Sequence, residues 1–151
     1  HCTGASFGPG DAQTDERGEE HGHNIGMLQQ ALPHLNLTLG DTKWQGHVAL
    51  RCNSNDYLPI AGLVPTLDIF NERYDRIRHD RKQIIDAPAP VRPGLAVLTS
   101  LGSRGLSAAP LAAELLVDQL LGTLPPAPRY LQRAIAPARF AERALKRGTP
   151  L

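Results

Sequence analysis

The segment from Gly94 to Gly122 constrains the fold of this chain more than any other, because it predicts three elements in a fixed order. The apolar residues Val97–Leu101 indicate a short buried strand, and the glycine-flanked residues 102–105 indicate a tight turn. An Ala- and Leu-rich helix should follow and end at Gly122. A helix that begins at such a turn offers backbone N–H groups to phosphate, a carboxylate or an electron-rich cofactor edge. An ordinary strand–helix connection would give the same pattern.

The helix that follows this turn has its own start and packing signals. Ser107 is a suitable N-cap, and we expect Pro110 to lie in the first turn, where its missing N–H does no harm. Leu111, Leu115 and Leu120 should form the buried stripe.

Weaker patterns predict the elements of the remaining chain. Apolar residues at helical spacing indicate a helix over 19–32, which should end before Pro33, and an amphipathic helix over 67–84. Alternation over 44–52 indicates a half-buried strand with Arg51 on its polar face, and Cys2–Phe7 could form a short strand. The three prolines of Asp86–Pro93 predict an irregular connector. One or two short basic helices are predicted over residues 129–147.

Composition limits the class of protein. A chain of 151 residues with 41% apolar residues can form one domain or pieces of two, and its seven aromatic residues leave the core mostly to aliphatic side chains. We see no apolar run that could span a bilayer and no secretory signal pattern, so no membrane partner is expected. Cys2 and Cys52 lack metal-ligand spacing, and nothing supports His21 and His23, so we expect no metal.

Charge is distributed unevenly along the chain. Residues 126–151 contain six Lys or Arg residues and a single acidic one, whereas residues 1–60 contain three basic and seven acidic residues. A basic C-terminal segment can contact nucleic acid, or it can be the solvated face of a helix.

Arg51 is a candidate carboxylate ligand, since a guanidinium can hold a carboxylate through two parallel hydrogen bonds. The alternative is a surface arginine that pairs with Asp56, five residues further on.

Several motifs together resemble one family along nearly the whole chain. The first group is Arg51-Cys52-x-x-x-Asp56-x-Leu58-Pro59-x-x-Gly62, and the second is Gly94-Leu95-x-Val97-Leu98 with Leu101-Gly102-Ser103-Arg104-Gly105-Leu106. Ala109-Pro110-Leu111-Ala112-Ala113-Glu114-Leu115 and Pro137-x-Arg139-Phe140 follow. This pattern resembles the C-terminal end of the FAD-dependent oxidase part of the bacterial bifunctional tRNA wobble-uridine modification enzymes. That oxidase part belongs to the glycine oxidase and D-amino-acid oxidase superfamily.

The resemblance implies a fold, a reaction and a set of site residues. The fold would be α+β, a fragment of a two-domain FAD-dependent oxidoreductase with the substrate-side sheet and the last strand and helix of the FAD domain. The reaction would remove the carboxymethyl group from 5-carboxymethylaminomethyl-(2-thio)uridine in tRNA and release glyoxylate. Arg51 and Arg104 would bind the substrate carboxylate, and the flavin would lie against the turn formed by Leu101, Gly102, Ser103, Arg104, Gly105 and Leu106. Ser100 replaces a glycine that is usual in this family.

The chain departs from the family in one large respect. The dinucleotide fingerprint and the methyltransferase part are absent, and no initiator Met opens the chain, so we expect a fragment or truncated product that holds FAD weakly or not at all. Its partners would be tRNA, the missing N-terminal part of the oxidase and a methyltransferase domain, in the cytoplasm. We expect residues 1–66 to form the substrate-side segment, 67–93 a helix and connector, 94–122 the terminal strand-turn-helix, and 123–151 the basic tail.

Two other functions fit the same residues. One is an oxidase of a small secondary amino acid such as sarcosine or glycine, from the same superfamily. The other is a non-catalytic module that docks tRNA. Flavin colour would separate an enzyme from such a module.

Overall fold

The computed structural model describes residues 4–35, 45–85 and 87–150 of the chain. Helices and strands both occur, so the predicted α+β class is confirmed. The chain divides into two compact units, one that ends at Leu50 and one that begins at Arg51. Within the described residues, no helix is both long enough and apolar enough to cross a membrane.

The first unit contains helix α1, Gly18–Ala31, followed by a 3-10 turn at Pro33–Leu35. The predicted helix over 19–32 is therefore confirmed, including its end before Pro33. A salt bridge of 2.5 Å between Arg17 and Asp11 holds the loop that precedes it. No side chain of α1 is buried, so this helix contributes little to a core.

The predicted strand over 44–52 is wrong for residues 45–52, which are irregular. Val48 and Leu50 are 39% and 67% exposed, so the alternating pattern does not correspond to a buried face. A strand needs a partner, and the pairing that does form nearby is a single bridge between Asn53 and Leu101. Residues 4–7 of the predicted strand Cys2–Phe7 are likewise irregular; residues 1–3 and Trp44 lie outside the described residues.

The second unit is built around a two-stranded antiparallel sheet of β1, Ile60–Pro65, and β2, Val91–Thr99. Ile60 pairs with Thr99 and Leu63 with Ala96, and the register then shifts before Pro65. The strand predicted over Val97–Leu101 exists, but it spans Val91–Thr99 and is partly exposed, so its predicted burial is wrong. The prediction that the connector is irregular as far as Pro93 is also wrong. The register shift lets Pro93 sit in the strand, because proline is tolerated where regular ladder bonds are interrupted.

Between the strands, the predicted helix over 67–84 is shorter and broken. Helix α2 spans Leu67–Tyr74, helix α3 spans Arg76–His79, and the prediction is wrong beyond that point. A turn ends α3, because a carboxylate oxygen of Asp80 accepts the backbone N–H of Lys82 at 3.0 Å.

Helix α4, Gly105–Leu121, follows the 3-10 turn Gly102–Arg104 as predicted, and Gly122 ends it with a left-handed φ of 67°. Two details of the prediction are wrong. Arg104 occupies the N-cap, since the hydroxyl of Ser107 donates to the Arg104 carbonyl at 3.0 Å instead of capping the helix. Pro110 lies beyond the first turn.

The buried face of α4 also differs from the predicted stripe. Leu115 is 2% exposed, but Leu111 and Leu120 are 43% and 51% exposed. Ala112, Leu115 and Asp118 form the buried face, and α4 packs against β1.

The predicted basic helices are confirmed as α5, Arg129–Ile135, and α6, Ala138–Arg147. Helix α6 closes the main core against α2 and α3. Phe70 and Tyr74 stack at a ring-centroid distance of 4.2 Å, and Ile77, Ala141 and Leu145 complete the cluster. The core thus joins the last helix to the segment between the two strands.

Candidate functional site

Backbone hydrogen bonds occupy part of the donors of the turn between β2 and α4. The N–H of Gly102 donates to the carbonyl of Cys52 at 3.3 Å, and the N–H of Arg104 donates to the carbonyl of Leu101 at 3.2 Å. These two donors are therefore not directed at a ligand, contrary to the expectation that the turn presents its N–H groups freely. The side chains of Ser103, Arg104 and Leu106 are exposed, so the outer side of the turn is open.

Backbone strain marks both flanks of this region. Among the described residues, the non-glycine residues with positive φ are Tyr57 at 58° and Ser100 at 56°. A non-glycine residue in this conformation costs about 1–3 kcal/mol and persists only where its surroundings hold it. The φ of Ser100 also explains why a glycine suits this position in the family that the sequence resembles.

Ser100 is held by the segment that carries Arg51. Its buried hydroxyl lies 3.3 Å from the sulfur of Cys52, in a hydrogen bond for which either atom could be the donor. Hydrogen bonding to Ser100, and then to Thr99, lowers the pKa of the Cys52 thiol.

Asn53 fixes the register between this segment and the turn. It forms the bridge to Leu101, and its side-chain oxygen would lie 2.5 Å from a Cβ atom placed on Gly102. Position 102 therefore requires a glycine for two reasons: a side chain would collide with Asn53, and the φ of 57° is unfavourable for other residues.

The two predicted carboxylate ligands are both exposed. Arg51 directly precedes Cys52, whose carbonyl is bonded to the turn, and Arg104 lies within the turn. The fold thus brings the segment that carries Arg51 and the turn that carries Arg104 into contact through Cys52 and Asn53. The substrate and flavin roles of Arg51 and of residues 101–106 stay predictions.

A partly buried ion-pair cluster centred on Asp56 lies further along the same segment. Arg139 holds the carboxylate through two parallel hydrogen bonds, from Nε at 2.9 Å and from Nη2 at 3.0 Å. Arg143 donates to the same carboxylate, as do the hydroxyl of Ser54 at 2.8 Å and the N–H of Leu58 at 3.2 Å. The Arg139 side chain is 5% exposed and that of Asp56 is 17% exposed. We call Asp56, Arg139 and Arg143 the Asp56 cluster.

The surroundings of Asp56 strongly favour the ionised form of its carboxylate. The hydrogen bonds from Arg139, followed by those from Ser54, Arg143 and Leu58, hold the pKa of Asp56 far below its usual range, although burial opposes them. The carboxylate is therefore charged at any ordinary pH.

Arg139 makes contacts on both sides of the cluster. Its Nη1 donates to the carbonyl of Ile135 at 2.7 Å and to that of Ala136 at 3.2 Å, while Nη2 also reaches the carbonyl of Leu58 at 3.1 Å. It therefore joins the loop around Asp56 to the junction of α5 and α6.

Two expectations change in consequence. The basic tail cannot present Arg139 to nucleic acid, because this side chain is buried and fully engaged. The carboxylate of Asp56, considered from sequence as a partner for Arg51, is bound by Arg139 and Arg143.

Gly62 in β1 supports the same junction. A Cβ atom at this position would lie 3.0 Å from Cδ of Pro137 and 3.2 Å from Oε1 of Gln119, and the φ of Gly62 is 149°. Asp56, Gly62, Pro137 and Arg139 all belong to the sequence motifs, and the fold brings them together at this junction.

Comparison with known proteins gives relatives along the entire chain, although no protein-family model matches it. The chain is 37% identical over 160 residues to the tRNA 5-methylaminomethyl-2-thiouridine biosynthesis bifunctional protein MnmC of Aeromonas salmonicida, a match that includes 100% of the chain and 23% of that protein. The protein of the same name from Shewanella amazonensis is 36% identical, with 100% and 24% covered. That from Methylobacillus flagellatus is 39% identical over 145 residues, with 96% and 22% covered.

These relatives are bifunctional bacterial proteins, and the chain is a part-length match to each of them. The chain is similar along its whole length to one part of these tRNA 5-methylaminomethyl-2-thiouridine biosynthesis bifunctional proteins, which confirms the resemblance that the motifs predicted. It spans about a quarter of the length of these relatives.

Proposed function

We propose that the chain is part of a longer protein, here called the parent protein, that removes the carboxymethyl group from 5-carboxymethylaminomethyl-(2-thio)uridine in tRNA by FAD-dependent oxidation. The observation that carries the proposal is the similarity of the whole chain to proteins named for tRNA 5-methylaminomethyl-2-thiouridine biosynthesis. A protein that modifies tRNA in bacteria would work in the cytoplasm.

The turn has features that suit a flat cofactor. A Cβ atom at Gly105 would have Leu101 Cβ, at 3.6 Å, as its near neighbour, so the backbone here is open to close approach. The start of α4 adds the positive end of a helix dipole. Residues Leu101–Leu106 would hold the flavin ring, and bound FAD would supply the oxidising power that converts the substrate carbon–nitrogen bond to an imine.

The substrate would be recognised by its carboxylate. The modified uridine carries an N-alkylated glycine, so its carboxylate is the charged group nearest the bond that breaks. Arg51 and Arg104 are the guanidinium groups on the two segments that meet at Cys52 and Gly102. Water then adds to the imine carbon, and cleavage of the carbon–nitrogen bond releases glyoxylate and leaves the 5-aminomethyl group on the uridine.

Helix α4 supports the finer description of the fold as the last strand and helix of an FAD domain. Opposite its buried face, Leu106, Val117, Leu120 and Leu121 form an apolar stripe with exposures of 102%, 46%, 51% and 71%. A helix that is apolar on both faces is typical of a buried position. We infer that the N-terminal part of the oxidase covers this stripe in the parent protein, which would also carry the dinucleotide fingerprint and a methyltransferase domain.

The parent protein tests the proposal directly. Expressed from its full reading frame, it should be yellow, and with tRNA that carries 5-carboxymethylaminomethyl uridine it should release glyoxylate and form the 5-aminomethyl nucleoside, as measured by mass spectrometry. Arg51→Gln and Arg104→Gln should each lower kcat/KM, and each loss should correspond to about 2–4 kcal/mol of transition-state stabilisation. Arg81→Gln, at an exposed arginine in the turn after α3, is the matched control.

Each contrary outcome has a definite meaning. Activity of both variants within about twofold of wild type would remove the carboxylate-binding role. Faster oxidation of sarcosine or glycine than of tRNA would favour the small amino acid oxidase. A colourless parent protein that binds tRNA would favour the docking module.

A further inference from the structure

We propose that Asp56 and Arg139 are positioning residues, which fix the loop Cys52–Leu58 and thereby place Arg51 and the turn at Gly102. This inference rests on the proposed function for what the placed residues do. It concerns side chains that the site itself does not contain, because neither Asp56 nor Arg139 belongs to the turn or carries a predicted ligand role.

The loop is attached at two ends. At one end the carbonyl of Cys52 accepts the N–H of Gly102, and Asn53 bridges Leu101. At the other end Arg139 holds Asp56 through two hydrogen bonds and the carbonyl of Leu58 through a third. The loop Cys52–Leu58 therefore connects the Asp56 cluster directly to the turn.

Internal contacts make this loop stiff enough to transmit a position. The hydroxyl of Ser54 shares its one hydrogen between the carboxylate of Asp56 and the carbonyl of Leu58, at 2.8 and 2.6 Å, and Ser54 is 8% exposed. Tyr57 holds a φ of 58° within the same turn. The backbone N–H of Tyr57 donates to the carbonyl of Ser54 at 3.1 Å, and the side-chain hydrogen bonds that hold the rest of this strained turn converge on Asp56.

The direction of the effect follows from this geometry. Loss of the Asp56 carboxylate frees the distal end of the loop, so the placement of Arg51 then relies on the contacts of Cys52 and Asn53 with the turn. A misplacement of about 1 Å can cost roughly a hundredfold in rate, even when the altered residue lies away from the chemistry. We therefore expect Asp56→Asn to lower kcat/KM of the parent protein by roughly ten- to a hundredfold.

A double-mutant cycle on kcat/KM distinguishes an effect of Asp56 on the placement of Arg51 from a general effect on the stability of the fold. If Asp56 acts by placing Arg51, then Asp56→Asn should cost little further in kcat/KM once Arg51→Gln is present, because the placed group is already missing. Fully additive losses would overturn the proposal. If Arg51→Gln alone has no effect, the proposed substrate role fails instead, and the two failures are thus distinct.

Hydrogen exchange gives a readout that does not depend on activity. In Asp56→Asn parent protein, peptides that cover residues 100–106 should exchange faster, although they lie more than forty positions from the mutation in sequence. Glu142→Gln is the matched control: it breaks the partly exposed Lys146–Glu142 pair on α6, the helix that carries Arg139 and Arg143, and should leave both exchange and kcat/KM unchanged. Unchanged exchange at residues 100–106 in Asp56→Asn would contradict the proposal.

A milder variant covers the case in which Asp56→Asn does not fold. Arg143→Gln removes one hydrogen bond to Asp56 from a side chain that is 42% exposed, and it leaves Arg139 in place. It should lower kcat/KM by roughly two- to fivefold, again without additivity in the Arg51→Gln background. Additive behaviour here would equally overturn the proposal.

Discussion

Replacement of Gly62 by alanine tests the close contact between β1 and the junction of α5 and α6. Two penalties combine at this position. A φ of 149° is rarely adopted by residues with a side chain, which costs about 1–3 kcal/mol. The new Cβ would lie 3.0 Å from Pro137 Cδ, a ring atom that cannot rotate away, and crowding of this kind costs about 1–3 kcal/mol. We expect Gly62→Ala to lower the local free energy of unfolding by about 3–4 kcal/mol.

Two other glycines supply matched controls for these penalties. Gly122 has a φ of 67° but nothing within 4 Å of a Cβ, so Gly122→Ala should cost only the conformational part, about 1–2 kcal/mol. Gly105 has a helical φ of −53° and an ordinary 3.6 Å contact, so Gly105→Ala should be neutral or stabilising by about 0.5–1 kcal/mol.

Hydrogen exchange of peptides from β1, in the parent protein, measures the change in opening free energy, in which each 1.4 kcal/mol corresponds to about a tenfold change in exchange rate. Gly62→Ala should therefore accelerate exchange of residues 60–65 by roughly a hundred- to a thousandfold. If Gly62→Ala proves no more disruptive than Gly122→Ala, then Pro137 does not pack against β1 as closely as described.

Four further outcomes follow from the site. Because the folded pKa of Asp56 lies below its ordinary value of 3.8, its ion pair should stabilise the fold fully above that pH and lose this stabilisation as pH falls below it, so Asp56→Asn should flatten the acid limb of a stability profile. Gly105→Ala should weaken flavin binding by the parent protein, measured by fluorescence titration, while leaving its melting temperature unchanged or higher. Arg129→Gln with Arg147→Gln should reduce the slope of the salt dependence of tRNA binding by the parent protein by roughly 1.4 to 1.8 units, whereas an unchanged slope would leave both as solvated residues. The 151-residue chain alone should bind FAD no more tightly than the high micromolar range, about −5 to −6 kcal/mol, and a nanomolar complex would contradict this.

Helix ends that are set by a nearby proline or glycine were predictable from the sequence. Pro33 marks the end of α1, Gly122 supplies the left-handed cap of α4, and Pro128 precedes α5. Each of these residues acts through its own backbone, so a window of a few residues contains the whole signal.

Predictions failed where distant residues decide the structure. The alternation over 45–52 resembles a strand, but a strand forms only with a partner, and no window along one segment shows whether a partner exists. The Asp56 cluster could not be derived from spacing either, since Asp56 and Arg139 are 83 positions apart. The turn at residues 102–105 was predictable, whereas the use of its donors by Cys52 and Leu101 required the fold.

The sequence separation within the Asp56 cluster also has a kinetic consequence. Asp56 meets Arg139 and Arg143 across 83 and 87 positions, so closing this contact requires a long loop of chain whose entropy must be lost before the ion pairs form. Contacts of such range slow folding compared with local ones. During synthesis, the segment that bears Arg51 emerges well before α6 does, and it stays without its anchor until residue 143 has left the ribosome. A chain cut short before that point would contain every predicted ligand of the site and still lack the means to hold them in place.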